Sequence, residues 1–208
     1  MSDIERLRGQ IKACRICVES PIDKAMPHAP NPVVVLSTTA RIAICGQAPG
    51  NKVNISGIPF TDPSGDRLRQ WLGLTSEVFY DRDRIAIVPM GFCFPGHDKH
   101  GGDLPPRKEC QLKWHHQVFA AMPQLRLKLL IGGSAQKYHL AGAQSKTVTQ
   151  TVENWRTYLN DGAQKGEAAV LPLPHPSWRN TGWLKKNPWF EAELLPELQK
   201  QVAIALTP

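Results

Sequence analysis

Apolar positions along the chain follow two rhythms, one helical and one of short continuous runs. Ile4, Leu7, Ile11 and Ala13 recur at a helical period toward Cys14, and Ser2 stands where a hydroxyl caps a helix start. A stretch rich in Pro and His then runs to about Thr39. From Arg41 to Cys45 the chain is apolar and stops at Gly46, the pattern of a strand buried on both faces. A helix opens at Ser64 or Asp66 and passes through Leu68, Trp71 and Leu72 to Gly73. A second strand runs from Arg84 to Val88, followed by a loop broken by Gly and Pro. Pro105-Pro106 starts a helix through Cys110, Trp114, Val118 and Met122. Leu127 to Ile131 reads as a third strand, ended by Gly132-Gly133. Two helical patterns, Ser134 to Ala141 and Val148 to Leu159, precede a fourth strand from Ala168 to Leu173. Asn187-Pro188 opens a last helix that reaches Leu206 and bends at Pro196.

Strands alternating with helices predict an α/β fold: three layers, α/β/α, around a central four-stranded, mainly parallel sheet. Ligands collect at the carboxyl ends of such strands, so the loops beginning at Gly46, Pro89 and Pro174 are expected to share one edge. A chain of 208 residues suits one domain over 1–208, expected as a monomer. Met1-Ser-Asp-Ile-Glu is acidic and polar rather than a basic leader with an apolar core, and no apolar run approaches the ~20 residues of a bilayer span. A soluble, cytoplasmic protein without a membrane partner is the expectation. Lys and Arg number 25 against 18 Asp and Glu, and the resulting +7 charge favours a polyanionic partner.

Two loops carry candidate chemistry. Gly46-Gln47-Ala48-Pro49-Gly50 follows the first strand, where glycines let the backbone approach a ligand and present its N–H groups. Alone, such a loop is more often a simple turn. His175-Pro176-Ser177-Trp178-Arg179-Asn180 follows the fourth strand, where a histidine can donate a hydrogen bond into the same cleft; a lone histidine is more often structural. Of the five cysteines, Cys14, Cys17, Cys93 and Cys110 form a pair plus two, which suits a 4Fe-4S cluster or a structural zinc. Cys45, inside a strand, falls outside that pattern.

These motifs, with Gly57-Ile-Pro-Phe60-Thr-Asp62-Pro-Ser64-Gly-Asp66 between them, resemble the signatures of the uracil-DNA glycosylase superfamily, in the same order and strand context. The likeness is closest to its iron-sulfur families, four and five. It implies base-excision repair: hydrolysis of the N-glycosidic bond of uracil, or of another deaminated base, in DNA. Family four has glutamate in its Gly-Glu-Ala-Pro-Gly motif where this chain has Gln47. Family five carries an aspartate in Phe-Thr-Gly-Asp-x-Ser-Gly; residues 60–65 are similar with one residue fewer, which puts Asp62 forward as the catalytic acid. Families one and four read uracil with an asparagine on the second strand, and none stands between Ile87 and Cys93 here.

The resemblance further implies that Phe60 stacks on the extruded base, unless it is an ordinary core phenylalanine, while His175 and the N–H groups of Gln47 and Ala48 bind its carbonyl oxygens. Trp178 takes the place of a wedge in the DNA minor groove, unless it packs under its loop. Ser177, Arg179, Lys185 and Lys186 would contact DNA. Arg67, Arg69, Arg107 and Lys108 are more ambiguous charges, for which solvated faces are the default. The cysteine spacing resembles the cluster ligands of family four and favours 4Fe-4S over zinc. Two alternatives stay open: a catalytically weak damage-binding protein with an iron-sulfur cluster, and an iron-sulfur redox protein unrelated to DNA.

Overall fold

Strands form where short aliphatic runs can be covered on both faces, and four do so here: β1 (Ile42–Cys45), β2 (Ile85–Ile87), β3 (Leu127–Ile131) and β4 (Ala169–Leu173). The computed structural model describes residues 3–164 and 167–207. All pairings are parallel, in the order β2-β1-β3-β4, with Ile44 level with Ile87 on one side and Leu129 on the other. The chain leaves β1 toward β2, then crosses to β3 on the opposite flank. The reversal opens a crevice at the carboxyl ends of β1 and β3.

Alternation along the strands divides the apolar residues between two cores. Ile42, Ile44, Leu129 and Leu171 face one, with Leu68, Trp71, Phe190 and Leu198; Ala43, Cys45, Ala86 and Leu130 face the other, with Ile11, Trp114 and Val118. Helices therefore cover both faces, giving three layers, α/β/α. They are α1 (Asp3–Lys12), α2 (Ile16–Glu19), α3 (Asn51–Ser56), α4 (Pro63–Leu72), α5 (Ser76–Tyr80), α6 (Lys108–Cys110), α7 (His116–Ala120), α8 (Gly132–His139), α9 (Val148–Glu153), α10 (Trp155–Gln164), α11 (Thr181–Lys186) and α12 (Leu195–Leu206). Among the described residues no helix is long and apolar enough to cross a membrane.

Several boundaries depart from the sequence pattern. Helix α4 starts at Pro63, whose fixed φ suits a first helical position, with Asp62 rather than Ser64 or Asp66 preceding it. Helix α6 starts at Lys108 rather than at the prolines: Pro106 disfavours a helical Pro105, and Arg107 is extended with ψ 125°. It continues through a π-helical turn, Gln111–His115, into α7. Gly132-Gly133 do not separate strand from helix but begin α8, with Gly132 at φ 79° making the turn. The last helix is interrupted by a second π-helical turn, Phe190–Leu194, which places Pro196 in the first turn of α12, where its missing N–H costs little. The expected Ser2 cap lies outside the described residues.

Candidate active site

Gly46, Pro89 and His175, which follow β1, β2 and β4, line one inner cavity of about 290 Å³, close to the lower end of ligand-site volumes, about 300–1,000 Å³. Its apolar wall is Val33, Ile87 and Ile131, and its rim carries Gln47, Ala48, Lys52 and Asp62. The Gln47 carbonyl accepts from Gly91 N–H at 2.9 Å and the Gly46 carbonyl from Met90 N–H at 2.9 Å, which fastens this loop to the one after β2. The N–H groups of Gln47 and Ala48 have no partner among the described residues. They remain free to donate to a ligand.

Phe60 forms another wall. It stands edge-on to Phe79, with ring centroids 5.9 Å apart, and packs against the core while lining the cavity. Its backbone is left-handed, φ 57°, a costly conformation for an aromatic residue. Three neighbours impose it. The Phe60 carbonyl accepts from Tyr80 Oη at 2.9 Å and from Arg69 Nη1 at 3.2 Å, and it passes so close to Gly65 that only a residue without Cβ fits there. Arg69 is thus a loop clamp rather than a solvated charge. Arg67 is another, donating to the Ser177 carbonyl at 2.9 Å and to Thr181 Oγ1 at 3.3 Å. Arg107 is paired with Glu109, buried two residues on. Arg67 and Arg69 each pin one loop to α4, a use that charge patterning does not reveal.

His175 sits at the end of β4, with its main-chain oxygen held by the Asn180 amide at 2.7 Å. Ser177 N–H donates to Nδ1 at 3.2 Å, so the neutral ring carries its proton on Nε2. Burial holds the imidazole below the usual histidine range, and the opposing pull of Asp62 and Asp103 does not overcome it. The ring is a neutral donor near pH 7.

An outer groove of about 530 Å³ adjoins the cavity, lined by Gly101, Gly102, Ser177, Trp178 and Arg179. Trp178 is 72% exposed, so it does not pack under its loop, and the Arg179 guanidinium lies 5.9 Å from its ring centre. Lys185 and Lys186 lie at the end of α11 and line neither space. Cavity and groove share Gln47, Ala48, Lys52, Asp62, Ser64, Asp103 and His175, and these residues form the neck between them. Ser64 Oγ lies 2.7 and 2.8 Å from the two Asp62 carboxylate oxygens. Asp66 points away: it pairs with Arg69 and is 77% exposed on the first turn of α4. Asp103, on the loop before α6, escaped sequence reading altogether.

The four patterned cysteines come together beneath the loop after β2. Cys17 and Cys93 pack with Met26, and Cys17 shares a hydrogen bond with Cys110, which lowers the Cys17 thiol and raises that of Cys110. Burial pushes Cys93 up to about 12, with the charges of Cys17 and Cys14 adding to it. Trp114 Nε1 donates to Cys14 Sγ at 3.3 Å and Phe92 N–H to Cys110 Sγ at 3.4 Å. Among the described residues, no group of three or more His, Cys, Asp or Glu is placed to hold a single metal ion. Cys45 is buried in β1.

A family model described as the uracil DNA glycosylase superfamily matches residues 33–199. Among solved structures, the chain is similar to the solution NMR structure of a candidate uracil DNA glycosylase from Methanosarcina acetivorans, with 17% identity over 81% of this chain and 94% of that one, at a TM-score of 0.42.

Proposed function

We propose, because this chain belongs to the uracil DNA glycosylase superfamily, that it hydrolyses the N-glycosidic bond of uracil, or of another deaminated base, in DNA, as a member of the iron-sulfur branch. One observation carries the reading: a cavity with free N–H donors and a neutral histidine shares its neck residues with a groove edged by an exposed tryptophan and an arginine.

Extruding a base costs a few kcal/mol of lost stacking. Trp178 would fill the gap left in the duplex, Phe60 would stack on the base, and Ser177, Arg179, Lys185 and Lys186 would meet the strand. The C1′–N bond breaks with its electron pair leaving on the base. His175 Nε2–H and the Gln47 and Ala48 N–H groups would hydrogen-bond the carbonyl oxygens, where that negative charge spreads. Asp62, at the neck, would steady the cationic sugar and orient water; the new C–O bond forms at C1′ as the water's proton passes to the carboxylate. The released base then takes a proton from solvent. The test is incubation with labelled duplexes holding one uracil, hypoxanthine or xanthine, followed by alkaline cleavage. Strand breaks at uracil support the reading. Tight binding without breaks under single-turnover conditions supports the damage-binding alternative.

Replacing His175 by alanine should slow single-turnover excision by roughly ten- to a thousandfold, the range for losing a donor aimed at developing charge. A folded variant with the normal rate removes His175 from the site.

Cys14, Cys17, Cys93 and Cys110 would hold a 4Fe-4S cluster. Each iron of such a cluster takes its own thiolate, so the sulfurs need not close on one ion, and N–H donors from Trp114 and Phe92 suit thiolate ligands. The cluster would act as a staple between the N-terminal segment and the loop after β2. Protein purified without oxygen should be brown, with iron and acid-labile sulfide in equal amounts. Stoichiometric zinc without iron overturns this assignment.

A further inference from the structure

The neck of the site contains a second carboxylate, brought there by a loop whose sequence is dominated by turn residues. Residues 96–104 fold back on themselves: Leu104 N–H donates to the Gly96 carbonyl at 2.9 Å and Asp98 N–H to the Gly102 carbonyl at 2.7 Å. The Asp98 carboxylate accepts from His100 N–H and Gly102 N–H at 2.8 and 2.9 Å, and these bonds hold it below the usual carboxylate range. The loop is therefore braced internally. At its base, Asp103 Oδ1 meets His97 Nδ1 at 3.2 Å. Its Oδ2 points to the β1 loop, 3.6 Å from where a Cβ on Gly50 would stand. Asp103 lines both the cavity and the groove, as Asp62 does, and both act on the charge of His175.

A carboxylate beside a DNA groove opposes binding, because it faces phosphates. With DNA bound, the phosphates make this position electrostatically unfavourable for the ground state. It becomes favourable when positive charge develops on the sugar, and the sugar of an extruded nucleotide with its base in the cavity must lie at the neck. We propose that Asp103 is a second catalytic carboxylate, which stabilises the cationic sugar by its charge while Asp62 accepts the proton of the attacking water. This rests on the glycosylase reading above. The two acids come from different connections, one after β1 and one after β2, so they can flank the reacting carbon without sharing a hydrogen bond.

The role has a signature that a structural residue lacks: removing the charge should slow chemistry while binding holds or tightens. Wild type, Asp103→Asn and Asp103→Glu are compared by single-turnover excision from a uracil duplex, by binding to a duplex carrying 2′-fluoro-deoxyuridine, and by thermal melting. Asp103→Asn should lose at least about tenfold in rate, bind as tightly as wild type or tighter, and melt normally, while Asp103→Glu recovers part of the rate. An Asp103→Asn variant with the wild-type rate, or with a rate loss matched by weaker binding or a lower melting temperature, overturns the proposal alone. Wild-type protein that excises no base overturns it together with the glycosylase reading.

Discussion

Gly65→Ala should bring excision down by about a hundredfold or more while the central sheet stays folded. A Cβ built on Gly65 falls 1.9 Å from the Phe60 carbonyl oxygen, 2.6 Å from its carbon and 2.9 Å from the Phe60 Cβ. The obstacle is mostly backbone, so no rotamer change relieves it. Phe60 cannot simply step aside either, since Tyr80 and Arg69 hold the same carbonyl and its left-handed φ leaves few alternatives. The loop must shift as a unit, carrying with it the Phe60 wall of the cavity and Asp62 two residues on. Displacements of about 1 Å can cost on the order of 100-fold in rate, and overpacking of this kind costs about 1–3 kcal/mol. For a chain of this size that corresponds to a fall in Tm of roughly 2–4 °C per kcal/mol. Single-turnover excision and a thermal melt on the same preparation check both halves. A variant with the wild-type rate would show that the Phe60 loop does not shape the site.

What the sequence disclosed and what it withheld divide along physical lines. The four strands were legible because a strand buried on both faces must be apolar throughout, and Ile42 to Cys45 or Leu127 to Ile131 has no other reading compatible with its length. Helices α3, α5 and α11 were not, since five or six residues are too few for a helical period to emerge. The Gly46 and His175 loops could be placed together because parallel topology sends successive strand ends to one edge. Asp103 could not: its position depends on how residues 96–104 fold back, which is set by Asp98 accepting two backbone N–H groups. Arg67, Arg69 and Arg107 are not the solvated charges that patterning suggests: Arg67 and Arg69 donate to backbone carbonyls, 110 and nine residues away, which no charge pattern marks, and Arg107 pairs with a carboxylate two residues on whose burial the sequence does not show. For Trp178 the sequence left two alternatives, and its exposure favours the one facing outward.

Asp62→Asn should slow single-turnover excision by roughly a hundred- to a thousandfold, the range for losing a charged group that acts only in the transition state. Asparagine keeps the shape and can still accept the Ser64 hydroxyl, so the start of α4 need not change. What disappears is a negative charge at the neck, where cavity and groove meet. Two other residues compete for the role. Asp66 follows by four positions but is 77% exposed and paired with Arg69, and an early-turn carboxylate is already favoured by the helix dipole. Asp66→Asn should therefore excise at nearly the wild-type rate and lose only about 0–1 kcal/mol of stability. Gln47 lines the neck but is neutral: its amide can hold water or a base oxygen, yet it cannot offset a cation by charge. Gln47→Ala should fall between the two. With binding to an uncleavable duplex measured in parallel, the order Asp62→Asn slowest, Gln47→Ala intermediate and Asp66→Asn near normal is the expected result. If Asp62→Asn keeps nearly full rate while either other change abolishes it, the catalytic acid is elsewhere. If all three retain activity, the cationic sugar must be stabilised by DNA phosphates and the remaining neck residues, and the reaction proceeds without a dedicated acid at Asp62.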